Sequence, residues 1–187
     1  MEREAPSRVE VILAGVGGMG ILVAGRLLAA AGLQKYKYVS WVPSYGEARR
    51  GGLSECTTVL SDQEIASPIL DQAQTVILCD GSQLKAFEGR VRPGGIIIAE
   101  GARLSGETEK KSFRLLPVSG LETAINMGGM LYVGLILLGA YTELAKPLPP
   151  GMIEEEMQRK YGNNDSVLQR NMHAFRQGIA LGRGITV

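Results

Sequence analysis

Gly15, Gly17, Gly18 and Gly20 are the first residues of the chain whose spacing could do chemistry. They read Gly-x-Gly-x-x-Gly over positions 15, 17 and 20. The apolar residues Val9, Val11, Ile12 and Leu13 precede them, and the apolar run 21–23 follows. That order predicts strand, tight turn and helix. A helix start leaves backbone N–H groups unpaired and carries the positive end of the helix dipole, so it welcomes a phosphate. Glycine also lets a second backbone come close. Three readings stay open: glycines that pack helix on strand, a phosphate-bearing ligand, or a subunit contact. Ordinary NAD binding wants an acid near the end of the second strand, and Tyr38 to Pro43 contains no Asp or Glu.

The second chemical stretch is Pro43 to Ser54, a polar loop holding Tyr45, Gly46, Glu47, Arg49, Arg50, Gly51 and Gly52. Guanidinium offers a planar fork of donors to phosphate or carboxylate, and paired glycines let backbone amides face an anion. A solvated turn with surface arginines explains the same residues. Asp80, at the end of the apolar run Thr75 to Cys79, reads as a turn and helix cap, with a ligand ribose as the other use. His173 is the only histidine and reads as a helix-surface residue. Cys56 and Cys79 form no Cys-x-x-Cys, so this chain alone builds neither a zinc nor an iron–sulfur site. No Gly-x-Ser-x-Gly, His-Glu-x-x-His or Gly-Lys-Ser/Thr occurs. The chain therefore lacks self-sufficient catalytic chemistry, which points to one part of a larger enzyme or to a binding subunit.

The elements that must position these residues follow from periodicity. Strands are expected at Tyr36–Val42, Ser54–Leu60, Thr75–Asp80, Gly95–Ala99 and Phe113–Val118. Helices are expected from Ile21 to about Ala31, from Asp80 to about Phe87, over Thr123–Thr142, over Pro150–Tyr161 and over Asn164–Leu181. Leu168, Met172, Phe175 and Ile179 form an apolar stripe on the last of these. Strands alternating with helices, followed by a helical tail, predict an α/β fold: a Rossmann-like, doubly wound, mostly parallel sheet with helices on both faces. The 187 residues suffice for a single domain, 1–187.

Composition excludes several classes. Net charge is +1 with acids and bases interleaved, so no basic face addresses nucleic acid. Thr123–Thr142 carries no charge across twenty residues, but Asn126 and the glycines at 128, 129, 134 and 139 dilute it, and it reads as a buried core or interface helix rather than a membrane span. Its Gly134, Gly139 and Ala140 would admit another backbone, in a partner or in a homodimer of the isolated chain. The polar start, Met1 to Arg8, has no apolar signal core, and the cysteines read as reduced, so a cytoplasmic location is expected.

Jointly these stretches resemble the gamma subunit, or gamma-type domain, of the 2-oxoacid:ferredoxin oxidoreductases. The matching residues are Gly15 to Ile21 with Ala24-Gly25, Tyr45-Gly46 through Arg50-Gly51-Gly52-Leu53-Ser54, and Ser61-Asp62 with Ile65 and Pro68. Asp80, Pro93-Gly94-Gly95, Asn126-Met127 and Asn171 complete the set. Met19 stands where the family usually has Gln, and Ala48 where it usually has Glu. The resemblance implies an enzyme that decarboxylates a 2-oxo acid oxidatively on thiamine diphosphate, passes electrons through iron–sulfur clusters to ferredoxin, and releases an acyl-coenzyme A. Thiamine diphosphate and the clusters would belong to alpha, beta and in some members delta subunits. This chain would bind no cofactor alone, and would contribute subunit packing and a coenzyme A contact through Gly15, Gly17, Gly18, Met19, Gly20, Tyr45, Gly46, Arg50, Gly51 and Gly52. A stand-alone Rossmann-like nucleotide-binding protein is the other reading.

Overall fold

The computed structural model describes residues 7–45, 52–104 and 112–185. Gly46, Arg50 and Gly51 lie outside the described residues, and of Tyr45 only the backbone is described. The strands are β1 (Arg8–Val16), β2 (Tyr38–Tyr45), β3 (Leu53–Ser61), β4 (Ala73–Leu78), β5 (Val91–Glu100) and β6 (Arg114–Val118). The helices are α1 (Ile21–Gly32), α2 (Leu84–Phe87), α3 (Gly120–Asn126), α4 (Val133–Ala145), α5 (Pro150–Tyr161) and α6 (Asp165–Arg183).

The six strands form one sheet in the order β2-β3-β1-β4-β5-β6. The pairs β1–β4, β4–β5 and β5–β6 are parallel. β3 runs antiparallel between β1 and β2. Five strands therefore point one way and β3 points back. Both edge strands contain proline, Pro43 in β2 and Pro117 in β6, which blunts the edges against pairing with another chain.

Alternation along the strands splits the core. Val9, Val11 and Leu13 of β1 face the large cluster, which joins α1, α4, α5 and α6. Ile12 and Ala14 face the smaller one, which is closed by Leu84 and Phe87 of α2 and by Ile65 and Leu70. The helices are thus unevenly shared: the four long ones cover one face, and among the described residues the other carries the single-turn α2, the connection 62–72 and the apolar side chains of Leu104, Phe113 and Leu115. Arg90 straps that connection down. Its guanidinium lies 3.0 Å from Glu55 Oε1 and donates to the carbonyls of Asp71 and Leu70 at 2.7 and 2.9 Å.

Thr123–Thr142 is not one helix. α3 ends at Asn126, a 3-10 turn covers Met130–Tyr132, and α4 begins at Val133. Gly128 and Gly129 cause the break, with φ of 110° and 150°. The close-packing face of α4 is filled from within the chain. A Cβ at Gly134 would lie 2.7 Å from the Gly20 carbonyl, and one at Gly139 would lie 2.9 Å from the Ile179 nitrogen. From the facing side, a Cβ at Gly178 would lie 2.7 Å from the Ile136 carbonyl carbon. Small residues on α4 and α6 thus let the chain's own helices meet backbone to backbone. Asn164 caps α6 by accepting from the Val167 amide at 3.2 Å, and His173 is exposed on that helix.

No helix among the described residues is long and apolar enough to cross a membrane.

Candidate functional site at the strand ends

Three strand ends converge on one edge. In the pairing register, Ser54 of β3 faces both Gly15 of β1 and Tyr45 of β2. The Gly17 amide then donates to the Gly52 carbonyl at 3.0 Å, so the two glycine stretches singled out in the sequence touch. On the other side of β1, the Cys79 amide donates to the Ala14 carbonyl at 2.8 Å. A Cβ at Gly15 would lie 2.8 Å from that of Cys79, which leaves Asp80 beside the glycine turn. The chain leaves β1 toward β2 and β3 on one side, and reaches β4, β5 and β6 on the other. The gap between the β1 and β4 ends is therefore the topological switch point, where open α/β sheets seat ligands.

The glycines of the turn divide their tasks. Gly18 has φ of 100°, is exposed, and has nothing within 4 Å of where a Cβ would stand. Gly20 has φ of 77° as the residue before α1, and a Cβ there would run into the Leu131 carbonyl oxygen. The Gly134 amide donates to the Met19 carbonyl at 2.8 Å. Met19 itself is only 5 % exposed and belongs to the large core. The start of α1 is thus covered by the chain's own segment 131–134, and the open part of the turn is Gly17–Gly18.

The acids at this edge serve the backbone. Asp80 is 3 % exposed and accepts through Oδ1 from the Ser82 amide at 3.0 Å and the Ser82 hydroxyl at 2.7 Å. Glu100, at the end of β5, is 1 % exposed and accepts from the amides of Ala102 at 2.9 Å and Leu121 at 2.7 Å. The expected cap at Asp80 is present. Glu100 was missed because 100–111 reads as a polar surface loop, and nothing in that stretch signals that its first residue faces α3. Arg103 was missed for the same reason; its Nη1 lies 3.6 Å from Asp80 Oδ2.

Among the described residues, the second strand does not supply the acid that ordinarily holds a ribose. β2 has no carboxylate, and β3 separates it from β1. The thiols are not offered to a ligand either. Both are buried, and burial pushes the Cys56 thiol up to about 12, with Cys79 raised further by full burial.

The family model described as pyruvate ferredoxin/flavodoxin oxidoreductase matches residues 10–181. The chain belongs to this family. It is 29 % identical over 171 residues to ketoisovalerate oxidoreductase subunit VorA of Methanothermobacter marburgensis, covering 91 % of this chain and 36 % of VorA. It is also 29 % identical over 182 residues to 2-oxoglutarate synthase subunit KorC of Archaeoglobus fulgidus, covering 97 % of this chain and 91 % of KorC. The chain therefore spans about a third of VorA but nearly all of KorC. Among solved structures, 2-oxoglutarate:ferredoxin oxidoreductase from Magnetococcus marinus, with 2-oxoglutarate, coenzyme A and succinyl-CoA bound, superposes with a TM-score of 0.86 at 22 % identity. That match covers 97 % of this chain and 32 % of the other. The gamma subunit of the keto/oxoacid ferredoxin oxidoreductase from Geobacter sulfurreducens gives 0.79 at 19 % identity, covering 96 % and 98 %. At these identities the structural likeness establishes the fold. The Rossmann-like sheet with its helical tail, expected from the sequence, is the fold of this oxidoreductase family.

For a member of the pyruvate ferredoxin/flavodoxin oxidoreductase family, the described edge leaves four large apolar side chains in the open: Leu53, Ile125, Met130 and Leu131, between 46 % and 57 % exposed. Leu53 follows Gly52, and Leu131 covers Gly20. The open glycine turn is therefore flanked by apolar surface on both sides, an arrangement that suits a second protein as well as a small molecule.

Proposed function

We propose that the chain is the gamma subunit of a thiamine diphosphate-dependent 2-oxoacid:ferredoxin oxidoreductase, which converts a 2-oxo acid oxidatively to an acyl-coenzyme A. The family match over residues 10–181 supports this reading, and one structural observation carries the role of this chain within it. The Gly17–Gly52 hydrogen bond joins the two glycine stretches into one edge, on the β3 side of β1 and next to the switch point between β1 and β4. Gly15, Gly17 and Gly18, with Gly52 and the adjoining Tyr45, Gly46, Arg50 and Gly51, form the coenzyme A side of the assembled site. The apolar rim of Leu53, Ile125, Met130 and Leu131 packs on the thiamine-binding alpha and beta subunits. Met19 and Gly20 act indirectly, by holding the turn against α4.

The division of labour follows from this chain's own donors. Its two cysteines are buried thiols and would ligate no iron–sulfur cluster, so the clusters that pass electrons to ferredoxin are assigned to partner subunits, and the family resemblance assigns thiamine diphosphate to them as well. The chain has no catalytic role alone; it binds, orients and excludes water from the acceptor end of the reaction. The cytoplasm is the proposed location.

The test is an anaerobic pull-down of the chain from its native cells, with the eluate assayed for coenzyme A-dependent dye reduction on a panel of 2-oxo acids. Co-purifying larger subunits and activity are expected, and Arg50→Ala raises the coenzyme A requirement of the assembled enzyme. A chain that elutes alone and inert overturns the reading.

A further inference from the structure

The glycine turn 15–20 before α1 carries no charged side chain, and the chain's own segment 131–134 crowds it from one side. The Leu131 carbonyl stands against Gly20, and the Gly134 amide is tied to Met19. An anion that enters the crevice at the open Gly18 must find its counter-charge elsewhere. Arg103 stands against the end of β4, the strand next to β1, with its backbone at Gly81 and its guanidinium beside Asp80.

Arg103 is held but not used up. Its side chain is 66 % exposed, while Asp80, 3.6 Å from Nη1, is buried. Asp80 is itself locked by the amide and hydroxyl of Ser82 on its other oxygen. The backbone below is tight: a Cβ at Gly81 would lie 3.0 Å from the Leu104 nitrogen and 3.2 Å from the Arg103 carbonyl carbon. One edge of the guanidinium is thus anchored to a fixed carboxylate, and its remaining donors reach solvent at the strand ends. A pre-positioned fork of this kind grips a phosphate more strongly than a free surface arginine, because less side-chain entropy is lost on binding.

We propose that Arg103 grips a phosphate of coenzyme A at this crevice, with Asp80 as its positioning residue. The inference rests on the coenzyme A reading above. A ligand with a single phosphate reaches either the glycine turn or Arg103. Coenzyme A carries several phosphates spread along its length, and bridges both.

The experiment uses the assembled enzyme and reads KM for coenzyme A, KM for the 2-oxo acid, kcat and the salt dependence of each, with thermal midpoints alongside. Arg103→Gln is expected to raise KM for coenzyme A about 10-fold, the loss of one hydrogen bond to a charged group. It leaves kcat and the 2-oxo acid KM unchanged and weakens the salt dependence. Arg103→Lys recovers part of the loss, and Asp80→Asn gives a smaller rise in the same KM. An unchanged coenzyme A KM in Arg103→Gln overturns the proposal, as does a fall in kcat and thermal midpoint together. Gly18→Val in the same assay separates the two readings. If it raises the coenzyme A KM while Arg103→Gln does not, only the role of Arg103 fails; if neither does, the coenzyme A reading of the crevice fails.

Discussion

Replacing Gly178 with Ala tests whether the helical layer is held by backbone contact. The added methyl would run into the Ile136 carbonyl oxygen and stand 2.7 Å and 2.9 Å from the Ile136 carbonyl carbon and Cα. Ordinary carbon contacts are about 3.5–4.0 Å, so α4 and α6 must part by roughly 1 Å along their seam. Neither helix has slack to absorb this. Ile136 and Phe175 are fully buried, and Gly139 on α4 presses on the Ile179 nitrogen from the other side. Overpacking of this kind costs about 1–3 kcal/mol and more where backbone is the obstacle. Higher helix propensity returns about 1 kcal/mol, which leaves a net loss of about 2 kcal/mol at the upper end of that range. For a chain of this size that lowers Tm by roughly 4–8 °C. Two companions calibrate the measurement by circular dichroism. Gly182→Ala meets Ala140 O at 3.0 Å and costs less, while Gly151→Ala, with nothing within 4 Å at the start of α5, raises Tm slightly. If Gly178→Ala melts with Gly151→Ala rather than below Gly182→Ala, the helices are not in backbone contact and the packing argument fails.

Glu100→Ala leaves the amides of Ala102 and Leu121 without their acceptor, at about 1–3 kcal/mol; urea unfolding reads it, and Glu100→Gln, which keeps an acceptor oxygen, recovers part. Alkaline pH destabilises the native chain. Burial raises the Cys56 thiol from 9.0 to about 12 and the Tyr36 phenol from 10.0 to about 12, with Cys79 and Tyr141 raised as well. Their folded values lie above the unfolded ones, so the stability they confer is complete below pH 9 and is lost as pH rises toward 12. Between those limits each group lowers stability by about 1.4 kcal/mol per pH unit. A urea midpoint that stays flat across this window, or a native thiol that titrates with a small reagent at mild pH, contradicts the burial.

The strand–turn–helix of β1 and α1 was legible because its apolar run, glycines and helical period agree locally. So were α5 and α6, with Pro150 at the start of one and Asn164 capping the other. What the sequence could not carry is where elements meet. The strand patterns did not state that β3 lies between β1 and β2 and runs antiparallel to both, because alternation marks a strand without naming its partner. The uncharged Thr123–Thr142 reads as one helix, because composition does not show that Gly128 and Gly129 take positive φ and break it. At the candidate site the two glycine stretches were read correctly as neighbours at strand ends. Glu100 and Arg103 were not, since a charged residue after a strand looks the same whether it faces solvent or caps a helix beyond the next strand.

The same glycines that suggest a nucleotide-binding turn argue here for a different use of it. In a turn built for a dinucleotide, the third glycine lets α1 approach its strand while the helix start stays open to pyrophosphate. Here the third glycine, Gly20, admits the Leu131 carbonyl, and Gly134 on α4 is glycine for the reciprocal reason. Two close approaches lock α1, the turn and α4 into one unit and crowd the start of α1 from one side. Among the described residues Gly17 and Gly18 are the part of the turn left uncovered, with Gly17 bonded to Gly52 and exposed apolar residues nearby. On the function proposed above, a second chain covering this rim would complete the crevice as a binding site, and a fold with so little catalytic chemistry of its own would serve the oxidoreductase in that way.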